Sequence, residues 1–208
     1  MHFLKIAIIV VFAACEVIRI CAINMDNAQI VLRETNERRR RHGCPELSLD
    51  LDLSQGCQTY AWKLAKDANL TYSDPTNKEY TENICRYPIK RGALSRCVHK
   101  WYHGSKLDFT DPKAKEFTAM IWRSSRNMGY GDANINEYEG VFVVRYTPPG
   151  NILGLYTDNV PPRANKNKKG KQKHKKRNDC PGHPNIISYR YIILLSILFV
   201  VSNNWQSS

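Results

Sequence analysis

Apolar residues recur at helical spacing in four segments of this chain. The first segment begins at Asp26, which we predict to cap a helix, and ends at Gly43, a residue suited to the position after a helix. The second follows Asp50, also a predicted cap, and carries apolar residues three to four positions apart. The third ends at Gly104, and the fourth is the stretch EFTAMIW, which starts at Glu116. The pattern therefore predicts four helices, each with one face toward a core.

Two strand-like segments follow these helices. A short, glycine-punctuated run covers residues 128–133, and residues 134–140 form a turn-rich connection. The second run is apolar and β-branched, and it stops at Thr147 because Pro148 cannot donate a hydrogen bond to a neighbouring strand. Since the helices come before the strands, we predict the α+β class with an antiparallel sheet.

The formal net charge of +12 is concentrated near the C-terminus. Residues 23–162 hold 19 Lys and Arg against 17 Asp and Glu, whereas residues 163–177 hold 9 basic residues and no acidic one. A chain of 208 residues with 42% hydrophobic content is long enough for one domain with a substantial core. We therefore predict a single, nearly neutral domain over residues 23–162 that does not bind nucleic acid.

The N-terminus has the features of a secretory signal peptide. One lysine precedes nine uninterrupted apolar residues at positions 6–14, and this stretch is too short to span a bilayer. We predict that residues 1–22 are the signal peptide, with cleavage after either Cys15 or Ala22. The protein is then extracellular, where its cysteines can form disulfides.

In an extracellular protein, the cysteines can form disulfides and a sequon can carry a glycan. Four of the 7 cysteines lie inside the predicted domain, and we expect them to pair: Cys44, Cys57, Cys85 and Cys97. The sequence leaves all three connectivities of these four cysteines open. The sequon at Asn69 follows the end of the predicted second helix, where an attached glycan would be exposed to solvent.

Two segments follow the domain. Residues 163–185 form a polybasic tail that we expect to be disordered, because it cannot bury a core. Its basic residues would either attract an anionic polysaccharide or lipid, or serve as a solvated linker. Residues 186–208 include a short apolar run that suits a GPI-attachment signal, an amphiphilic membrane anchor or a removed propeptide. This run is too short for a full transmembrane helix.

Two groups of basic residues have alternative interpretations. Residues 38–41 are four consecutive arginines near the end of the first helix, where the helix dipole favours cations. We interpret them as a solvated helix end rather than as an anion-binding patch.

His99 and His103 lie one helical turn apart, which is the spacing of helical zinc sites. We interpret them as a surface pair, because their apolar neighbours define another face of the helix as the buried one.

Five motifs occur in order along the chain: NERRRRHGCPEL from Asn36, TENI from Thr81, KWY from Lys100, EFTAMIWRSSRNMGYG from Glu116 and VVRYTPPGNILG from Val143. Together they resemble the CAP superfamily, the sperm-coating-protein domain of cysteine-rich secretory proteins, insect venom allergens and plant pathogenesis-related proteins. The resemblance covers residues 26–162. It implies a three-layer α-β-α sandwich with a cleft between the helices and one end of the sheet.

In metal-competent members of that superfamily, the cleft holds two histidines and two glutamates. The resemblance puts Tyr72 and Glu116 at the two histidine positions, and Glu82 and Gly104 at the two glutamate positions; we call these four residues the tetrad positions. Only Glu82 is retained. A neutral tyrosine is a poor zinc ligand, because its reference pKa is about 10. We therefore expect the cleft to hold no metal and no cofactor.

Three functions are open to such a chain. We predict a secreted, venom allergen-like protein without enzymatic activity, which the resemblance implies binds a lipid, a sterol or a partner protein. The alternative is adhesion to glycosaminoglycan or to a membrane surface through the basic tail. A third hypothesis, hydrolysis by the paired carboxylates of Glu82 and Glu116, is disfavoured because no nucleophile and base accompany them.

Overall fold

The computed structural model describes residues 23–67, 70–74, 77–109 and 111–164. The predictions for the signal peptide, for the glycan at Asn69 and for the chain from residue 165 onward lie outside these residues. Helices and strands alternate irregularly along the described chain, in the order α1 Met25–Arg41, β1 Ser48–Leu49, α2 Leu51–Asp67, β2 Thr81–Pro88, α3 Ala93–Tyr102, α4 Lys115–Ile121, β3 Asn127–Asn134, β4 Glu139–Thr147 and α5 Tyr156–Asn159.

The four strands form one sheet in the order β1–β3–β4–β2. β4 is central and pairs antiparallel with both β3 and β2, which confirms the predicted antiparallel arrangement for the three long strands. β1 has only two residues and pairs in parallel with β3, with Ser48 opposite Asn127. The sequence analysis assigned neither β1 nor β2 as a strand, since β1 is too short and β2 begins with the polar residues TEN.

The sheet separates two layers of core. Along β4, Phe142 and Val144 point into one layer, whereas Val141 and Val143 point into the other, as the alternation of side chains in a strand requires. The first layer is large and is filled from α1, α3 and α4, and the second is filled from α2. Helices on both faces of a sheet make the three-layer α-β-α sandwich, so the predicted fold class is confirmed.

The ends of the first two helices follow local rules. α1 is capped by Asn24, whose side chain accepts a hydrogen bond from the N–H of Asn27, so the prediction of Asp26 as the cap is wrong. Asp26 instead lies in the first turn, where its charge favours the helix dipole. Gly43 has φ of +65° after the C-cap of α1, as predicted. Asp50 accepts a hydrogen bond from the N–H of Leu53, which confirms it as the cap of α2.

The interpretation of residues 38–41 as a solvated helix end is wrong for Arg38, which is buried, and most clearly for Arg39. This side chain is completely buried. Its guanidinium donates hydrogen bonds of 2.8–3.0 Å to the backbone carbonyls of Pro45, Met120, Trp122 and Ser125. Burial lowers the pKa of Arg39 to about 10, which still leaves it charged at neutral pH. Arg39 therefore links the end of α1 to the end of α4 through hydrogen bonds inside the core.

The expectation that the four domain cysteines pair is only half correct. Cys85 and Cys97 form a disulfide between β2 and α3. Cys44 and Cys57 are free and buried. Cys44 contacts the carbonyl of Ile121 at the end of α4, whereas Cys57 packs against the opposite face of the sheet with α2. The two thiols cannot reach each other because the sheet lies between them.

Among the described residues, no helix combines the length and the apolar character that crossing a bilayer requires.

Candidate functional site

Tyr72 and Glu116, two of the tetrad positions, are in direct contact. The Tyr72 hydroxyl donates a hydrogen bond of 2.9 Å to Oε1 of Glu116, in the first turn of α4. Burial, followed by the nearby charge of Glu116, raises the pKa of Tyr72 above its ordinary value. Nζ of Lys115 lies 4.0 Å from the centre of the Tyr72 ring. The phenol therefore stays protonated at neutral pH and acts as a hydrogen-bond donor rather than as an anionic ligand.

Glu82 is held in a buried ion pair with Arg145. The two residues are opposite each other on β2 and β4, and Nε of Arg145 lies 2.9 Å from Oε2 of Glu82. The side chains of Glu82 and Arg145 are only 5% and 10% exposed. Ser73 donates two further hydrogen bonds to this carboxylate, one from its backbone N–H and one from its hydroxyl. The carboxylate of Glu82 is therefore already neutralised and hydrogen-bonded by the protein itself.

Arg145 was not singled out by the sequence analysis. Its guanidinium carbon lies 4.0 Å from the centre of the Tyr80 ring, an arrangement in which a cation is attracted by the aromatic face. A Cβ at Gly56 would lie 2.6 Å from Nη1 of Arg145, so the glycine in α2 leaves room for the guanidinium. The available signal in the sequence was that Arg145 is a charged residue within an otherwise apolar strand. A charged side chain that is buried there requires a partner.

Gly104 packs against the start of α4. It is buried, and a Cβ added to it would lie 2.9 Å from Cβ of Phe117 and 3.1 Å from Cα of Ala114. The first separation is too short for two carbon atoms and the second is tight, so a larger side chain requires the start of α4 to shift. At the second glutamate position of the tetrad, this chain therefore has a glycine that lies in close contact with neighbouring backbone.

The donor set at the tetrad positions does not fit the zinc site that the superfamily resemblance implies. Tyr72 is protonated, Glu82 is ion-paired, and Gly104 has no side chain with which to coordinate a metal. Over residues 23–67, 70–74, 77–109 and 111–164, no group of three or more His, Cys, Asp or Glu side chains comes together that could hold a metal ion.

A groove of about 670 Å³ lies between the C-terminal ends of α1 and α3 and the segment at residues 161–163. None of the tetrad positions lines it. Aromatic, aliphatic and proline side chains share its surface with basic ones, and none of the described residues that line it is acidic. We call it the His42 groove; its lining is Arg41, His42, His99, Tyr102, His103, Ser105, Lys106, Leu107, Phe109, Phe117, Pro161, Pro162 and Arg163.

His42 is fixed in the wall of this groove as a neutral imidazole. Its Nδ1 lies 2.7 Å from the carbonyl oxygen of Pro161, and its Nε2 lies 3.0 Å from the hydroxyl of Tyr102. A carbonyl can only accept, so Nδ1 carries the proton and Nε2 accepts from the tyrosine. Burial lowers the pKa of His42 below its ordinary value, although the Pro161 carbonyl opposes this shift. The ring of Phe117 packs against the imidazole edge, with 5.4 Å between the ring centres.

His99 and His103 lie at the surface on the same groove, as the sequence analysis interpreted them. Their Nε2 atoms are 3.1 Å apart. The two rings are nearly perpendicular, with 82° between their planes and 4.7 Å between their centres. The sequence showed that the residues share a helix face, but only the structure shows that two ring nitrogens meet.

Comparisons with known proteins agree with this fold. The model of the cysteine-rich secretory protein family, CAP, matches residues 32–146. Golgi-associated plant pathogenesis-related protein 1 of Homo sapiens is 31% identical over 139 residues, which are 64% of this chain and 90% of that protein. Secreted protein RBT4 of Candida albicans is 26% identical over 135 residues, which are 61% of this chain but only 36% of that protein.

A solved structure of NaASP2 with Zn2+ resembles this chain in fold. The TM-score is 0.51 at 16% sequence identity, and the match covers 69% of this chain and 88% of that one. At this identity the likeness concerns the fold alone. The family match extends over more than half of the chain, and the human relative is covered almost completely. This chain therefore belongs to the cysteine-rich secretory protein family, the CAP family.

Proposed function

We propose that this chain is a secreted, non-enzymatic CAP protein that binds a single-chain anionic lipid, such as a long-chain fatty acid, in the His42 groove. The observation that carries the proposal is the lining of that groove. Among the residues that the structure describes, this lining combines apolar surface with several basic side chains and no acidic one. A volume of about 670 Å³ is in the range typical of small-molecule sites.

The apolar part of the groove suits a hydrocarbon chain. Leu107 and Phe109 are 37% and 38% exposed, and they lie beside the buried ring of Phe117. Covering such surface with a lipid chain is favourable by about 0.8 kcal/mol for each buried CH₂ group. Pro161 and Pro162 add rigid apolar surface at the opposite wall, which loses little conformational entropy when a ligand binds.

The charged part of the groove suits a carboxylate. Arg41, Lys106 and Arg163 all line it; Arg41 is ion-paired with Glu37, so Lys106 and Arg163 are the cations we expect to approach an anionic head group. Arg41 and Lys106 lie near the C-terminal ends of α1 and α3. A ligand that has an apolar tail and one negative charge therefore complements both halves of the lining.

The tetrad positions support a binding function rather than catalysis. The carboxylate of Glu82 is neutralised by Arg145, and that of Glu116 accepts the Tyr72 hydroxyl. A general base needs a carboxylate that is free to accept a proton from a substrate. These contacts support the proposal that the chain is not a hydrolase.

Three observations support secretion. Residues 1–22 have the composition of a signal peptide, and the Cys85–Cys97 disulfide is of a kind that persists in oxidising compartments. The name of one relative, Secreted protein RBT4, describes it as secreted. The human relative is named for its association with the Golgi, so the destination of this chain is part of the proposal.

Titration with a fluorescent fatty-acid analogue, followed by displacement with unlabelled palmitate, tests the proposed function. We expect Leu107→Asp and Phe109→Asp to weaken binding by about tenfold or more, because each brings a charge against the lipid chain. Lys106→Glu should also weaken binding, by a factor that shrinks at high salt.

Matched controls lie outside the groove. Leu153 is a 93% exposed leucine and Lys63 is an exposed lysine on α2, and neither lines the groove. Leu153→Asp and Lys63→Glu should therefore bind palmitate as the wild type does. If palmitate fails to displace the analogue, or if the controls lose as much affinity as the groove variants, the proposed function is wrong. Equal affinity for the uncharged fatty alcohol would contradict the role of the basic rim.

A further inference from the structure

We propose that His99 and His103 form a two-histidine chelate for a divalent transition-metal ion, with Cu²⁺ preferred over Zn²⁺. His99 lies in the last turn of α3, and His103 is the first residue after that helix. Both side chains are exposed, so a metal ion and its water ligands can reach them from solvent. This inference does not depend on the proposed lipid function.

The distance between the two nitrogens fits a common metal ion. Nε2 of His99 and Nε2 of His103 are 3.1 Å apart. Histidine nitrogens bind these metals at about 2.0–2.1 Å, so two nitrogens at this separation subtend an angle of about 95–100° at the ion. That angle lies between the right angle of tetragonal Cu²⁺ sites and the wider angle of tetrahedral Zn²⁺ sites. A metal can therefore be bound without a change in the helix backbone, once the two rings rotate so that both lone pairs converge on the ion.

The present contact also shows what must change when a metal binds. Two nitrogens at 3.1 Å share one proton, which one Nε2 donates and the other accepts. A metal needs the lone pair of both, so the donating ring must carry its proton on Nδ1 instead. Each neutral imidazole can make that exchange of tautomers through solvent.

The surroundings limit the affinity of the site. Lys106 and Arg163 line the same groove and repel a cation, Arg41 is ion-paired with Glu37, and none of the described lining residues is acidic. The site therefore has two protein ligands, with water in the remaining positions. Neutral imidazole suits Cu²⁺, Ni²⁺ and Zn²⁺, and for the same ligands Cu²⁺ binds most tightly.

Calorimetric titration of the metal-stripped full chain with Cu²⁺ and with Zn²⁺ tests the proposal. Electron paramagnetic resonance of the Cu²⁺ form should show coupling to two imidazole nitrogens. We expect His99→Gln and His103→Gln each to weaken binding by at least about tenfold, since removing a direct ligand should cost no less than removing a supporting one. Thermal unfolding of the metal-free variants should match the wild type, because both residues are exposed.

Two further variants serve as matched controls. His174→Gln with His183→Gln removes the histidines of the C-terminal region, and it should leave the chelate intact. Exchanging Arg96 and His99, as Arg96→His with His99→Arg, keeps the composition but puts the histidines at 96 and 103 about 10 Å apart along the axis. This exchange should lose binding as His99→Gln does.

Three results would overturn the proposal. The first is a wild-type chain that binds neither metal. The second is a His99→Gln variant with wild-type affinity. The third is a loss of binding in the His174→Gln, His183→Gln variant equal to that in His103→Gln, which would move the site to the C-terminal region.

Discussion

At the scale of single residues, burial decides how much each ion pair contributes to stability. β2 and β4 are bridged by two such pairs, Glu82 with Arg145 inside the protein and Arg86 with Glu139 at its surface. The side chains of the surface pair are 39% and 41% exposed, so water screens their attraction. Removing one partner of the inner pair would leave a buried charge without compensation, which is much less favourable.

We predict that Glu82→Gln lowers the free energy of unfolding by about 3–5 kcal/mol, because the substitution leaves the buried Arg145 cation unpaired. Glu139→Gln, the matched change on the same pair of strands, should lower it by less than about 1 kcal/mol. Urea denaturation of the two variants and the wild type measures both values. Similar losses in the two variants would show that the inner pair contributes no more than an exposed one.

At the scale of elements, glycines set the distance between α2 and the sheet. A Cβ on Gly129 would lie 2.7 Å from the backbone carbon of Leu53, and one on Gly131 would overlap the backbone of Gln58. Gln58 also forms hydrogen bonds with the backbone of Asp132 through both atoms of its side-chain amide. The helix therefore contacts β3 backbone to backbone, at a separation that only glycine on the strand permits.

We predict that Gly131→Ala destabilises the fold by about 1–3 kcal/mol, because α2 must move away from β3 to accommodate the methyl group. Gly43→Ala is the control, because a Cβ at this position has no neighbour within 4 Å. We expect it to lower the free energy of unfolding by about 1–2 kcal/mol, since alanine is strained in the left-handed backbone at φ of +65°. Thermal and urea unfolding give both values. A hydrogen-exchange experiment should show faster exchange along α2 in Gly131→Ala only, and unchanged exchange there would contradict this explanation.

At the scale of the whole molecule, His42 joins distant parts of the chain. It follows α1, bonds to Tyr102 at the end of α3, and bonds to the carbonyl of Pro161 near the end of the described chain. In the neutral imidazole, Nδ1 donates the bond to the Pro161 carbonyl and Nε2 accepts the one from Tyr102. Because burial lowers the pKa of His42 in the folded state, the unfolded chain binds a proton more readily at this residue.

We predict that stability falls as the pH is lowered below about 6.5, the ordinary histidine pKa, and that this loss ends once the folded-state pKa is passed. One such group changes the free energy of unfolding by at most about 1.4 kcal/mol per pH unit. Urea denaturation at several values between pH 7 and pH 5 measures the slope. His42→Gln should have a smaller slope than the wild type; identical slopes in His42→Gln and the wild type would contradict the prediction.

Much of the fold was accessible from the sequence, because helices obey short-range rules. The apolar spacing, the cap at Asp50 and the left-handed Gly43 depend on residues within one or two turns of each other. The resemblance of the five motifs to the CAP superfamily predicted the order of the layers, with helices on both sides of the sheet. β2 was missed because its first residues are polar, and its place in the sheet depends on β4, some 60 residues later in the chain.

The candidate sites depended far more on tertiary structure. The sequence identified Tyr72, Glu82 and Glu116, but not that Arg145 neutralises one of them from another strand. It could not foresee that Arg39 is buried, or that two of the four domain cysteines remain free, since burial and pairing join residues far apart in the chain. The residues that line the groove come from positions as far apart in the chain as 41 and 163. The sequence by itself determined the four main helices and the family, because these depend on local spacing and motifs, whereas only the folded chain decided which charges are paired and which side chains share a surface.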